Sequence, residues 1–225
     1  PQNPVGRVWS RDELRRVGDI CLRHGVTVVS DEIHCELAAP CYAYVPFATV
    51  GEDIARNSII CVSPTKPFNM AGVKIANIII PDPDIRERVR RDVEKREVGS
   101  PGPFGIDALI AAYTEGGAEW LDELNVYISD NYEFMREYVE KYLPGFPIMK
   151  LEGTYLVWMD CSALGMDSPA LEETLKSEAK IWLNSGTMYG RGGEGYMRWN
   201  LACTRAVLEE GLRRFRAFVE KSIVK

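Results

Sequence analysis

Lys66 lies in the run Ser63-Pro64-Thr65-Lys66-Pro67-Phe68-Asn69-Met70-Ala71-Gly72, three residues after a serine and just past a β-branched stretch. A lysine three residues after a serine is weak evidence by itself, since most lysines are solvated surface groups. The text that follows it is apolar and rich in turn formers, which is not a typical neighbourhood for an exposed lysine. Apolar surroundings disfavour the charged form and make the neutral amine available, as Schiff-base chemistry requires. Asp31 closes an earlier apolar run, in Asp31-Glu32-Ile33-His34. It reads either as a turn or cap aspartate or as a carboxylate set against a cationic ring nitrogen. His34 reads as a satisfied buried histidine unless Asp31, three residues earlier, makes it part of a site. Ser63 reads as a strand-end hydroxyl bonded to backbone. Arg198, in Arg198-Trp199-Asn200-Leu201-Ala202-Cys203, is either a salt-bridged surface residue or a clamp for a carboxylate, which a guanidinium fork matches with two parallel bonds.

These residues need elements to position them. Ser10-Arg11-Asp12-Glu13 has the form of a capping box, and Leu14, Val17, Ile20 and Cys21 follow at helical spacing until His24-Gly25. Residues 26–30, 58–63 and 75–81 are short apolar runs that predict buried strands. Helix followed by strand, repeated, predicts a mostly parallel α/β sheet. Ligands of such sheets collect beyond the carboxyl ends of the strands. Asp31, His34, Ser63 and Lys66 all fall just after strands.

From residue 82 the text changes. Residues 84–97 predict a charged helix with a solvated arginine-rich face. Residues 104–113 and 118–143 predict two further helices, the second unusually long. Trp120, Tyr127, Phe134 and Tyr138 recur along it at spacings of seven and four, so core or interface packing is expected. Pro144-Gly145-Phe146-Pro147 is a hinge-like break. Short strands at 148–151, 155–160 and 197–201 and helices near 169–179 and 204–222 then predict a smaller α+β domain. Gly190-Arg191-Gly192-Gly193-Glu194-Gly195 reads as a flexible loop before the Arg198 strand and not as a nucleotide cradle. The domain organisation expected is 1–103, connecting helices 104–143, and 144–225.

Composition narrows the partners. The 225 residues carry a formal net charge of −6, which argues against nucleic acid and anionic membrane surfaces. No apolar run approaches the roughly 20 residues that span a bilayer. The six cysteines include no CxxC pair, and two histidines leave little for a zinc site. Reduced, buried thiols in a cytoplasmic protein are expected. Pro1-Gln2-Asn3-Pro4 reads as a turn joining structure outside this sequence.

The segments Asn3-Pro4-Val5-Gly6, Asp31-Glu32-Ile33-His34, Ser63-Pro64-Thr65-Lys66 and Arg198 to Cys203 together resemble, in order and spacing, the class I/II aminotransferases. The second and third are most similar to the cystathionine β-lyase (C–S lyase) branch. The resemblance spans nearly the whole chain and implies the fold-type I, PLP-dependent transferase-like fold. It makes this chain the C-terminal part, with the end of a large domain's mostly parallel sheet and a small α+β domain. The implied cofactor is pyridoxal 5'-phosphate. Asn3 would bond its phenolic oxygen, with His34 facing the same atom. Asp31 would pair with the ring nitrogen, Ser63 and Lys74 would contact the phosphate, Lys66 would carry the cofactor and move the substrate's Cα proton, and Arg198 would hold the α-carboxylate.

Two positions depart from the pattern. Pro67 follows Lys66 where relatives have a small residue, which removes a backbone donor. Lys74 stands where many relatives have arginine. The activity implied is β-elimination from a sulfur amino acid, giving pyruvate, ammonia and a thiol. Transamination and an effector domain of a transcription regulator are the alternatives. A homodimer is implied for the full-length protein, and the chain alone is expected to be inactive, since the remaining phosphate loop and the ring-stacking aromatic would lie outside it.

Overall fold

The computed structural model describes residues 1–223. It divides into two units: Pro1 with Val8–Leu124, and Gln2–Arg7 with the residues from Asn125 onward.

In the first unit, helix α1 (Arg11–Arg23) begins where the Ser10 hydroxyl accepts from the Glu13 amide and the Glu13 carboxylate accepts from the Ser10 amide at 3.0 Å. Two otherwise orphaned donors are thereby satisfied. Gly25, at φ +63°, releases the chain through a left-handed conformation that suits glycine. Strand β1 (Val28–Asp31), the short helix α2 (Glu52–Arg56) and strand β2 (Ser58–Val62) follow. β1 and β2 are parallel, with Val28 opposite Ser58 and Asp31 opposite Cys61.

Strand β3 (Asn77–Ile79) instead runs antiparallel to β2, so the expected mostly parallel arrangement holds here only for the first pair. The segment between β2 and β3 doubles back through turns without a crossover helix, and only an antiparallel partner can be reached that way. Phe47, Val50, Ile54 and Ile60 form a buried cluster in this unit, with Val28 and Val62 packed against it.

Strand alternation places Val29 and Asp31 on the opposite face from Val28. Val29 and Ile78 are 65% and 50% exposed. The apolar runs of β1 and β3 therefore do not signify burial on both faces in this unit. Both are edge strands, and the cluster covers one face only.

Helix α3 (Pro83–Lys95) is capped by Asp82, whose carboxylate accepts from the amides of Asp84 and Ile85. It buries none of its residues and carries Glu87–Arg90 and Glu87–Arg91 ion pairs, as a solvated face should. Helices α4 (Gly105–Ala112) and α5 (Glu115–Tyr142) follow, and the boundary between units falls within α5.

The second unit holds an antiparallel sheet of order β4 (Leu156–Asp160), β6 (Tyr196–Asn200), β5 (Asn184–Ser185). With it lie helices α6 (Ser168–Thr174), which continues into a single π turn at Leu175–Ala179, and α7 (Arg205–Ile223). Ile128, Tyr132, Met135 and Val139 are the buried stripe of α5, and Leu208, Leu212, Phe215 and Val219 that of α7. Spacings of four, three and four keep each set on one helical face.

The aromatic series on α5 is not its core face. Tyr127 is 42% exposed, and Ile128, Met135 and Val139 each follow an aromatic by one residue. One residue turns the helix by about 100°, so the buried stripe lies beside the aromatics. Trp120, in the first unit, stacks on Phe68 with ring centroids 5.3 Å apart.

Candidate functional site

The parallel pairing of β1 and β2 brings their carboxyl ends to one edge of the first unit's sheet. Asp31 ends β1, is exposed, and accepts from the Ile33 amide through Oδ1 at 3.2 Å. Among the described residues no cation pairs with its carboxylate. The Cys61 thiol opposite it is pushed up by burial and then by the charges of Asp31 and Glu32.

Glu32 is 8% exposed and ties the edge down. It accepts from the Ser30 hydroxyl at 2.9 Å, from the Phe47 amide at 3.0 Å and from the Tyr44 hydroxyl. Burial and that bond together raise the Tyr44 hydroxyl. His34 is buried in the turn that follows, its carbonyl accepting from the Leu37 amide at 3.0 Å.

Past the end of β2 the chain makes the turn that carries Lys66. The Ser63 hydroxyl donates to the Ile75 carbonyl at 2.6 Å, accepts from the Thr65 amide at 3.1 Å, and lies 2.8 Å from the Thr65 hydroxyl. Its one proton is therefore committed within the loop, and its geometry is that of a loop staple. The Phe68 amide donates to the Pro64 carbonyl, that of Asn69 to Lys66, and that of Met70 to Thr65. No bond in this set needs a donor at position 67, so Pro67 fits the turn without breaking it. Pro64 and Pro67 are buried and Lys66 is half-buried. Among the described residues the Lys66 amine has no hydrogen-bond or ion-pair partner. Lys74 is exposed, in a left-handed conformation (φ 54°) after the 3-10 turn Ala71–Val73.

Arg198 belongs to the second unit. It sits on the central strand β6, directly opposite Trp158 on β4 and Asn184 on β5. Its Nη1 donates to Asn3 Oδ1 and its Nη2 to Asn184 Oδ1, both at 2.8 Å. The guanidinium carbon lies 5.0 Å from the centre of the Tyr189 ring, and Trp158 packs edge-on against that ring at 5.7 Å. The Arg198 Nε is buried without an acceptor, and no carboxylate pairs with the side chain among the described residues. This is a cation held by neutral groups.

Asn3 is delivered by the segment Gln2–Arg7. Gln2 and Arg7 pair across a turn, and the Gly6 carbonyl accepts from the amides of Glu152 and Gly153 at 2.9 Å. The turn expected at the start of the chain is thus present, and it brings Asn3 to Arg198 across 195 positions of sequence.

The structure gathers Asp31, His34, Ser63 and Lys66 at one strand edge of the first unit, and Asn3 and Arg198 in the second. Sequence reasoning missed Thr65, Asn184 and Tyr189. Asn184 starts a two-residue strand, too short for any periodicity to register. Tyr189 ends a 3-10 turn just before what reads as a flexible loop. That loop is closed instead by Gly186 and Gly193, where a Cβ on either would fall 2.1 or 2.0 Å from the other's carbonyl oxygen.

The model of the aminotransferase class I and II family matches residues 1–215. The chain belongs to this family. It is 42% identical over 217 residues to the cystathionine beta-lyase PatB of Bacillus subtilis, covering 96% of this chain and 56% of that protein. It is 35% identical over 214 residues to the protein MalY of Escherichia coli, covering 94% and 54%. Among solved structures it is similar to cystalysin from Treponema denticola, which contains a pyridoxal 5'-phosphate cofactor (TM-score 0.91, 39% identity, 98% of this chain and 56% of that one). It is also similar to a PLP-bound putative aminotransferase from Clostridium difficile (TM-score 0.92, 39% identity, 96% and 56%). The fold is therefore the fold-type I, aminotransferase-like fold. The chain spans a little over half the length of the relatives it matches.

Proposed function

We propose that the intact protein is a pyridoxal-phosphate enzyme that eliminates a thiol from a sulfur amino acid such as cystathionine, giving pyruvate and ammonia. The observation that carries this reading is Lys66, a half-buried amine without a partner among the described residues, at the strand edge that ends in Asp31. The residues fit the cofactor. Asp31 has a carboxylate oxygen unused by Ile33 and, among the described residues, no cation paired with it, which suits a protonated ring nitrogen. Lys74 offers a point charge to a phosphate, and Ser63 and Thr65 line the loop before Lys66. His34 and Asn3 would face the phenolic oxygen. In this structure Asn3 is bonded to Arg198, so that contact would add to the one it already makes.

When bound, pyridoxal phosphate supplies an electron-withdrawing ring that stabilises negative charge at the substrate's Cα. Lys66 would hold it covalently, and its amine, once released, would accept the Cα proton as general base. Asp31 would keep the ring nitrogen protonated. Arg198 would hold the substrate carboxylate, since its charge is left unneutralised by Asn3 and Asn184. The electron pair left at Cα would form a Cα–Cβ double bond as the Cβ–S bond breaks with its pair on sulfur. The thiolate would take up a proton, and water would hydrolyse the released enamine to pyruvate and ammonia.

Elimination is favoured by the 42% identity to the cystathionine beta-lyase PatB. Transamination is the second reading, favoured by the aminotransferase-like structure at TM-score 0.92, because the same residues serve both. No described helix is long and apolar enough to cross a membrane; a cytoplasmic location is proposed on the six free cysteines, which suit a reducing compartment. A homodimer is proposed for the intact protein, and the 225-residue chain alone is proposed to be inactive.

The test is pyruvate formation by the intact protein from cystathionine with pyridoxal phosphate, with and without an added oxo acid. Pyruvate without the oxo acid that is lost in Lys66→Ala supports elimination. Turnover only with the oxo acid replaces it by transamination, and no turnover of either kind rejects both.

A further inference from the structure

Arg198 is held without a counter-charge. An arginine that served only the fold would ordinarily meet a carboxylate, because an unpaired, partly buried charge is costly. Here two of its five N–H groups go to amide oxygens, those of Asn3 and Asn184, each at 2.8 Å. A third, on Nε, is buried and has no acceptor among the described residues. A buried donor left open marks a group whose bonding is incomplete by itself.

The sheet makes this arrangement specific. β6 is the central strand, and the register sets Asn184 directly beside Arg198 on one side and Trp158 on the other. Cross-strand neighbours share a face, so the β5 partner reaches the guanidinium without a long side chain. Ser185 then anchors β5, its amide donating to the Glu172 carboxylate at 2.8 Å. Tyr189 covers the guanidinium at 5.0 Å and is backed by Trp158. The Gly186 and Gly193 backbones, in contact, close the loop that presents it.

We propose that Asn184 and Tyr189 are positioning residues that fix the plane of the Arg198 guanidinium while leaving its charge available to a substrate carboxylate. The neutrality of Asn184 is part of the device. An aspartate there would make the same bond and cancel the charge. This inference rests on the reading of Arg198 as a carboxylate clamp, and its test separates the two.

The measurement is NMR of the Arg198 guanidinium in the intact protein with its cofactor, assigned by its loss in Arg198→Lys. Its readouts are the rate of rotation about the Nε–Cζ bond and the shift on titration with propionate or propionamide. In the wild type, slow rotation is expected, with a saturable response to propionate and none to propionamide. In Asn184→Ala and Tyr189→Leu the rotation should quicken. Affinity for propionate should fall about tenfold in Asn184→Ala through lost orientation, and about a hundredfold in Asn184→Asp through lost charge. Unchanged rotation in Asn184→Ala, or wild-type propionate affinity in Asn184→Asp, overturns the proposal. A wild type that rotates slowly but ignores propionate removes the clamp reading, while the rotation comparison still decides whether Asn184 and Tyr189 hold the side chain.

Discussion

The Ser63 hydroxyl donates to the Ile75 carbonyl at 2.6 Å, and so ties the end of β2 to the chain entering β3. The loop between them carries Lys66. Ser63 is 2% exposed, so removing its hydroxyl leaves buried groups without partners. Ser63→Ala is expected to cost about 1–3 kcal/mol. It should also raise hydrogen exchange at the Thr65 and Met70 amides and weaken cofactor binding. Denaturant unfolding, exchange mass spectrometry and a cofactor titration check this. A variant with wild-type stability and exchange would refute the staple role.

Gly186 and Gly192 offer a contrast within one loop. A Cβ on Gly186 would stand 2.1 Å from the Gly193 carbonyl oxygen, whereas one on Gly192 would meet nothing within 4 Å. Backbone cannot yield as a flexible side chain does, so Gly186→Ala should destabilise by about 3 kcal/mol or more. Gly192→Ala should stay within about 0.5 kcal/mol of the wild type. Thermal melts of the two variants decide it.

Asn131 on α5 is fully buried. Its amide nitrogen donates to the Leu201 and Cys203 carbonyls at 3.1 Å, and its oxygen accepts from Arg205 Nε at 2.8 Å. It fastens the segment between β6 and α7 to the long helix, directly downstream of Arg198. Asn131→Leu keeps the volume and removes every bond, and is expected to cost about 2–3 kcal/mol. Chemical denaturation measures the loss.

Glu172 gives the second unit an acid-sensitive joint. Burial pushes its carboxyl up, but the Lys176 ammonium and the Ser185 amide outweigh that and hold it below the ordinary value of 4.5. A depressed carboxyl stabilises the fold above its unfolded pKa, and that contribution disappears as pH falls through the folded one. Glu172→Gln should therefore be less stable than the wild type at pH 7 by about 1–2 kcal/mol. The difference should shrink progressively below pH 4.5. Stability curves between neutral and acid pH check the sign, and a gap that widens in acid would rule it out.

Much of the frame was legible in the residues alone. Ser10 and Glu13 announce α1 because capping is local. The strand-end placement of Asp31, Ser63 and Lys66 follows from where apolar runs stop. The order of short segments from Asn3 to Cys203 carries the family resemblance by itself. These signals survive without a fold because each depends on neighbours a few positions apart.

Only the tertiary structure decided the rest. That β3 turns back antiparallel, and that Val29 and Ile78 stay open, depends on what packs against a strand and not on its own text. That α5 buries Ile128 and Met135 beside its aromatics depends on which side the rest of the unit covers. Above all, the bond between Asn3 and Arg198 spans 195 positions, and Asn184 reaches the same guanidinium only through strand register. Such contacts are non-local, so no spacing in the sequence encodes them. They come into being when the sheet fixes its register and the turn at the start of the chain docks on Glu152 and Gly153.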